Sequence, residues 1–393
     1  MPRLPGWSSS AQALRESIFS RLQGRLAPGG VPLHLGDTWL RPPALTMRVD
    51  DPAVYRYGAP FGNAPLLTAL SEKLRRDNQL TWAEPAALQI TNGGTAALAV
   101  AARTVLDPDD EVLVPSPHWP LIRGIISNTG ARAVDVPFSQ ALYAEPDRDP
   151  AELLLPHLTA KTAALYLTTP NNPDGKVLTR AQQARLCEFA AAHDLWVFSD
   201  EAYEHFAWTG EHHSFASLPG AAERTLTAFS FSKSYAMAGL RLGYLVGPPS
   251  VMAAARRIAN HMVYNVPDLL QRAATTVLHA QVGPAWQTSA RTAYREARQI
   301  ASSLLPAPHH LPDGATYLFA DLSAWVEPSE PSLWPLVEEL LDAGVSVSPG
   351  EQFGAAWSRH ARICFTAVPP ARLAEGMRRI AAVLEKRRPT RRS

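Results

Sequence analysis

Five lysines occur in the chain: Lys73, Lys161, Lys176, Lys233 and Lys386. Four stand in polar sequence and read as surface charges. Lys233 differs. It follows the apolar run from Leu226 to Phe231, broken only by Thr227 and Ser230, which has the pattern of a buried strand. An amine at the end of such a strand loses hydration. That lowers its pKa and makes it a nucleophile able to form an imine with a carbonyl compound. The hydroxyls of Ser230 and Ser232 and the guanidinium of Arg241 suit an anion beside that imine, since arginine's planar fork grips phosphate with paired hydrogen bonds. Taken alone, Lys233 also fits a strand-end lysine that reaches water. The Ser-x-Ser-Lys-(x7)-Arg-x-Gly arrangement argues against that.

Two other stretches could face the same ligand. Asn92-Gly93-Gly94-Thr95 lies between a short strand, Leu88 to Thr91, and an alanine-rich helix over 96–106. Glycines before a helix start leave backbone N–H groups free for an anion, and the helix dipole helps. Asp200 ends the apolar strand Leu195 to Ser199, with Tyr203 three positions on. A carboxylate there needs a cationic partner or strong donors. A protonated ring nitrogen would be such a partner, and Tyr203 could touch the same ring. Read alone, an aspartate at a strand end is more often a helix cap.

Apolar strands near 112–114, 132–136, 162–169, 195–199, 225–230 and 242–246 alternate with helical spacing, which predicts a mostly parallel sheet with helices on both faces. Helical spacing of Leu14, Ile18, Leu22 and Leu26 predicts a helix over 11–27, stopped by Pro28-Gly29-Gly30. After a long helical region at 284–304 the pattern changes to short strands (315–320, 345–347, 361–366) and helices (332–341, 370–385). We expect three segments: an arm, 1–50, that joins a smaller α+β domain; a large domain, 51–285; and the rest of the small domain, 286–393. The tail from Lys386 is expected to be disordered.

These stations resemble the class I and II aminotransferases, the fold-type I enzymes that use pyridoxal phosphate, and the resemblance runs from about residue 33 to 385. It implies an α/β fold like that of aspartate aminotransferase, with Lys233 bound to the cofactor, Asp200 on its ring nitrogen, and Tyr203 and the Asn172 amide on its ring oxygen. Trp119 would stack on the ring. Gly93, Gly94, Thr95, Ser230, Ser232 and Arg241 would hold the phosphate, with Tyr57 reaching the phosphate of a neighbouring subunit in a homodimer. Arg362, set between apolar residues of its strand, would bind the substrate carboxylate, Asn172 would also meet the substrate, and Gly36 and Trp39 would line the substrate loop. Arg41, His118 and Tyr264 are further candidates for side-chain specificity. Two departures stand out: Asp37-Thr38-Trp39 replaces the family's acidic-proline run, and Asp174 replaces a threonine or serine in the turn after Asn172.

The implied activity is ping-pong transfer of an amino group between an L-amino acid and a 2-oxo acid. The same groups also serve a lyase, cyclase or oxidase. A ligand-sensing regulator without catalysis is a third reading, disfavoured by the retained lysine. Net charge is +1, so no charge excess points to nucleic acid or an anionic membrane surface. The two cysteines, Cys187 and Cys364, sit far apart in apolar contexts, and no Cys/His spacing suits a metal. No apolar run is long enough to span a bilayer, and Met1 to Pro5 lacks a signal-peptide core. We therefore expect a cytoplasmic protein with small-molecule substrates.

Overall fold

The computed structural model describes residues 6, 11, 12, 14, 18–22, 24–279, 281–327 and 329–387. Its centre is a seven-stranded sheet. In chain order its strands are β2 (Leu88–Thr91), β3 (Glu111–Ser116), β4 (Arg132–Pro137), β5 (Thr162–Thr168), β6 (Trp196–Asp200), β7 (Thr225–Ser230) and β8 (Gly243–Val246). They lie side by side as β2-β8-β7-β6-β5-β3-β4. Every neighbouring pair from β7 to β4 is parallel, while β8 runs antiparallel to both β7 and β2. The expected parallel sheet is thus correct, apart from β8.

Helices cover both faces because β5, β6 and β7 are apolar on both sides. On one face, α2 (Gly93–Val105) and α5 (Pro249–Val263) pack Ala97, Leu98, Ala101 and Met252 against Val112, Ala164, Phe198 and Leu226. On the other, α3 (Arg180–Ala192) sets Leu186, Cys187 and Phe189 on Leu165, Leu167 and Val197. Thr179 starts α3 with a capping box to Gln182. Near the sheet edge, α1 (Ala64–Asp77) and α6 (Asp268–Leu278) pack on each other. Each fully buried leucine or phenylalanine of these layers contributes about 1.5–3 kcal/mol.

A second core joins the two ends of the chain. Strand β1 (Val31–Pro32) pairs in parallel with β10 (Val345–Ser346). Beside them, β9 (Tyr317–Asp321), β12 (His360–Cys364) and β11 (Ser348–Pro349) form an antiparallel sheet. Leu22, Val31 and Leu33 pack there with residues of α7 (Gly283–Leu304), α8 (Trp334–Asp342) and α9 (Pro370–Arg387).

Several local expectations need correcting. Of the proposed 11–27 helix, residues 11, 12 and 18–22 are helical, Leu14 and 24–27 are not, and the remainder lies outside the described residues. Lys386 and Arg387 belong to α9 rather than to a disordered tail, because Arg387 is clamped by Glu330 and Glu339; the expectation for 388–393 lies outside the described residues. Lys73 and Lys176 are not surface charges. Lys73 is 1% exposed and bonds Glu204 and Asn78, and Lys176 is buried against Asp313 and the ring of Tyr143. Among the described residues no helix is long and apolar enough to cross a membrane.

Candidate active site

The parallel strands β3, β5, β6 and β7 end on the same edge of the sheet, where open α/β sheets bind ligands. A cavity of about 190 Å³ opens there. Its wall contains Gly94 and Thr95 from the start of α2, Trp119 from the turn after β3, Asn172 after β5, Asp200 at the end of β6 and Tyr203 after it. Ser230 ends β7, Ser232, Lys233 and Arg241 come from the segment after it, and Gly36 and Arg362 come from the second core. Residues scattered over more than three hundred positions therefore face one space.

Local structure explains the placement after β7. The Ser230 hydroxyl caps a one-turn helix, α4 (Phe231–Ser234), accepting from the Ser232 amide at 3.1 Å, and Lys233 rides on that turn. The Lys233 amine donates to the carbonyl of Gly36. Arg241 follows in a left-handed conformation, φ 52°, and its Nη1 bonds the Ala238 carbonyl at 2.8 Å and the Ser232 hydroxyl at 3.5 Å. Gly93 has φ 83°, and a Cβ there would meet Arg241 Nη2 at 2.7 Å. The glycine is what lets the guanidinium lie over the start of α2.

Two buried charges in this wall lack a counter-ion. Asp200 accepts from the Ala202 amide and the Tyr166 hydroxyl, each at 3.1 Å, and among the described residues no cation pairs with it. Burial pushes its pKa up to about 6, with the neighbouring Glu201 adding to the rise. Arg362 is 3% exposed, and no described carboxylate pairs with it. Its Nη1 bonds Asn172 Oδ1 at 2.9 Å, its Nη2 the His34 carbonyl at 2.8 Å, and its Nε has no partner. The rings of Tyr317 and Phe353 lie 4.3 and 5.0 Å from the guanidinium. Because Asn172 directs its oxygen at Arg362, its amide nitrogen is the end left to donate. A buried anion and a buried cation in one cavity, each short of its opposite, are costly unless a ligand supplies both.

This set fits pyridoxal phosphate. Asp200 offers a carboxylate to a protonated ring nitrogen, Thr95, Ser230, Ser232 and Arg241 offer donors to a phosphate, and Lys233 offers the amine.

Other expected residues lie outside the cavity wall. Gly93 leaves room for Arg241. Trp39 packs edge-on against Tyr294, at 5.5 Å between ring centroids, and Arg41 is exposed with its carbonyl bonded by Trp286. Tyr57 is 87% exposed, and its ring packs edge-on against Tyr264, 5.0 Å between centroids. His118 is wholly buried, with Nδ1 3.1 Å from the Trp119 carbonyl and Nε2 3.3 Å from Asp135, so it faces the protein rather than a substrate. Asp174 is buried and accepts from Asn171 and the Lys176 amide, so its carboxylate braces the turn. Sequence reasoning missed Tyr317, which lines the cavity, and Tyr166, beneath Asp200. Each is one polar ring in an apolar strand, a pattern shared with ordinary core tyrosines.

Comparison with known proteins agrees with this geometry. Residues 41–380 match the model of the aminotransferase class I and II family, and the chain belongs to that family. It is 37% identical over 294 residues to an arginine–pyruvate transaminase of Pseudomonas aeruginosa, covering 74% of this chain and 72% of the relative. It is 34% identical over 336 residues to an aspartate/prephenate aminotransferase of Thermus thermophilus, covering 84% and 83%. The solved aspartate aminotransferase of Thermus thermophilus with maleate superposes with a TM-score of 0.86 at 30% identity, over 97% of this chain and 100% of that one. The chain is a transferase of amino groups, and its cofactor is pyridoxal phosphate.

Proposed function

We propose that the cavity residues divide the work of amino transfer between an α-amino acid and a 2-oxo acid as follows. Lys233 would hold the cofactor, Thr95, Ser230, Ser232 and Arg241 its phosphate, and Asp200 its ring nitrogen. Bound pyridoxal phosphate supplies an electron-accepting ring and the carbonyl carbon that takes and returns the amino group. Arg362 binds the substrate carboxylate through its paired nitrogens, braced by Asn172 and the His34 carbonyl. That contact fixes the substrate Cα near the Lys233 amine. Lys233, once the incoming amino group has displaced it, would remove the Cα proton as a base and return a proton as an acid. Trp119, which lines the cavity, would cover the ring and keep water off it. The observation that carries the reading is that Asp200 and Arg362 are buried without counter-ions in the cavity that Lys233 enters.

Replacing Lys233 with Ala should remove both the visible absorption of the bound cofactor and turnover. Normal activity in that variant would refute the assignment.

The pairing of Val31 with Val345 supports counting residues 1–50 with 286–393 as the small domain and 51–285 as the large one. The exposure of Tyr57, Tyr264 and Phe61 supports a homodimer in which Tyr57 serves the neighbouring site. A light-scattering mass equal to one chain would count against it. The free, buried Cys187 and Cys364 agree with a cytoplasmic setting.

A further inference from the structure

Tyr317 has no role in the scheme above, yet it touches both of its ends. It lies on β9, in the second core, and its hydroxyl is 2.5 Å from that of Tyr203, which follows β6 of the main sheet. The Arg362 guanidinium sits 4.3 Å over its ring. A side chain on Gly36 would collide with its hydroxyl, so the substrate loop is shaped around this phenol.

Two hydroxyls that share one hydrogen bond leave one proton for use elsewhere. If Tyr203 donated to Tyr317, it would have nothing to give a ligand. If Tyr317 donates, the Tyr203 proton faces the cavity. Burial, with Tyr317 beside it, holds the Tyr203 phenol protonated far above its ordinary range, so that proton is present at working pH.

We propose that Tyr317 is a positioning residue whose hydroxyl donates to Tyr203, aiming the Tyr203 proton at the ring oxygen of pyridoxal phosphate, and whose ring supports Arg362 beneath the substrate carboxylate. One side chain of the second core thereby couples the cofactor contact to the carboxylate contact. The inference rests on the cofactor reading given above.

The test uses cofactor-loaded protein and two variants. Tyr317→Phe keeps the ring and removes the donor. The pH at which the visible band of the bound cofactor titrates should rise by roughly half a unit to one unit, because Tyr203 then donates less strongly to the ring oxygen. Propanoate, used as a bare carboxylate probe, should bind as in wild type. Tyr317→Leu removes the ring as well, and propanoate affinity should fall about threefold to tenfold. Since Tyr317 acts on the band through Tyr203, adding Tyr317→Phe to Tyr203→Phe should shift the band no further. Additive shifts in the double variant, or a Tyr317→Phe titration equal to wild type, would overturn the proposal. A wild-type protein that shows no visible band with pyridoxal phosphate would instead overturn the cofactor reading.

Discussion

Asp200 and Glu204 stand four positions apart and are equally buried, each 8% exposed, yet their environments push them in opposite directions. For Asp200, burial dominates and lifts the carboxyl to about 6. For Glu204, burial acts the same way and is the largest single influence. It is outweighed by Lys73, His205 and Asn78 together, which hold the carboxyl well below the usual glutamate range. Lys73 reaches Glu204 Oε2 at 2.5 Å and Asn78 Oδ1 at 2.8 Å. That site is complete: the cation, the anion and the amide satisfy one another, and the Phe229 ring lies 4.9 Å from the ammonium. Asp200, like Arg362, has donors or acceptors around it but no opposite charge. Closed charge clusters fasten α1 to the loop after β6, whereas open ones wait for a ligand.

Breaking the closed cluster should have the largest effect. Lys73→Met takes the ammonium from a buried Glu204 that keeps only Asn78 and His205 beside it, and chemical denaturation should show a loss of about 3–5 kcal/mol. Protein that remains folded should still bind pyridoxal phosphate. Asp200→Asn should act the other way. In the cofactor-free chain, a carboxyl lifted from 3.8 to about 6 makes the fold less stable as pH rises through that interval. The penalty above it is about 3 kcal/mol. The cofactor-free asparagine variant should therefore melt higher than wild type near neutral pH, with the gain vanishing below about pH 4. Its turnover should nonetheless fall roughly 10²–10³-fold, because the charge opposite the ring nitrogen is gone.

Arg362→Met should raise KM for the amino donor roughly tenfold to a hundredfold, the value of a charge-assisted contact, without lowering the melting temperature. The smallest effect is the sharpest. Removing both members of the closed cluster, with Lys73→Met and Glu204→Leu, should cost far less than Lys73→Met alone. It should also flatten the acid limb. The depressed Glu204 contributes stability above its ordinary value of 4.5, and wild type loses that contribution as pH falls below it. A double variant as unstable as the single one would show that the pair matters for packing rather than charge.

The open charges were legible in the sequence and the closed one was not. Lys233 and Asp200 each end an apolar strand, so the abrupt change from apolar to ionisable marked them. Arg362 showed as an arginine between apolar neighbours. Lys73 also carried a mark: it shares the buried face of α1 with Leu66 and Leu70. Its polar neighbours Glu72, Arg75 and Arg76 hid that phase, and its partner lies 131 positions away, beyond the reach of any periodicity. Tyr317 and Tyr203 meet across 114 positions for the same reason. The layered sheet was legible because its central strands, β5 to β7, bury largely apolar runs. The reversed direction of β8 was not, since a short apolar strand reads alike both ways.

The pairing of Val31 with Val345 has a consequence during synthesis. The large sheet closes with β8, so it can assemble while the ribosome is still making the last third of the chain. The amino-terminal segment meanwhile keeps Leu22, Val31 and Leu33 uncovered until β10 emerges, an interval on the order of 15–60 s at ordinary elongation rates. For that time those residues are open to a chaperone or a protease, and a message cut short before Val345 yields a product that never hides them.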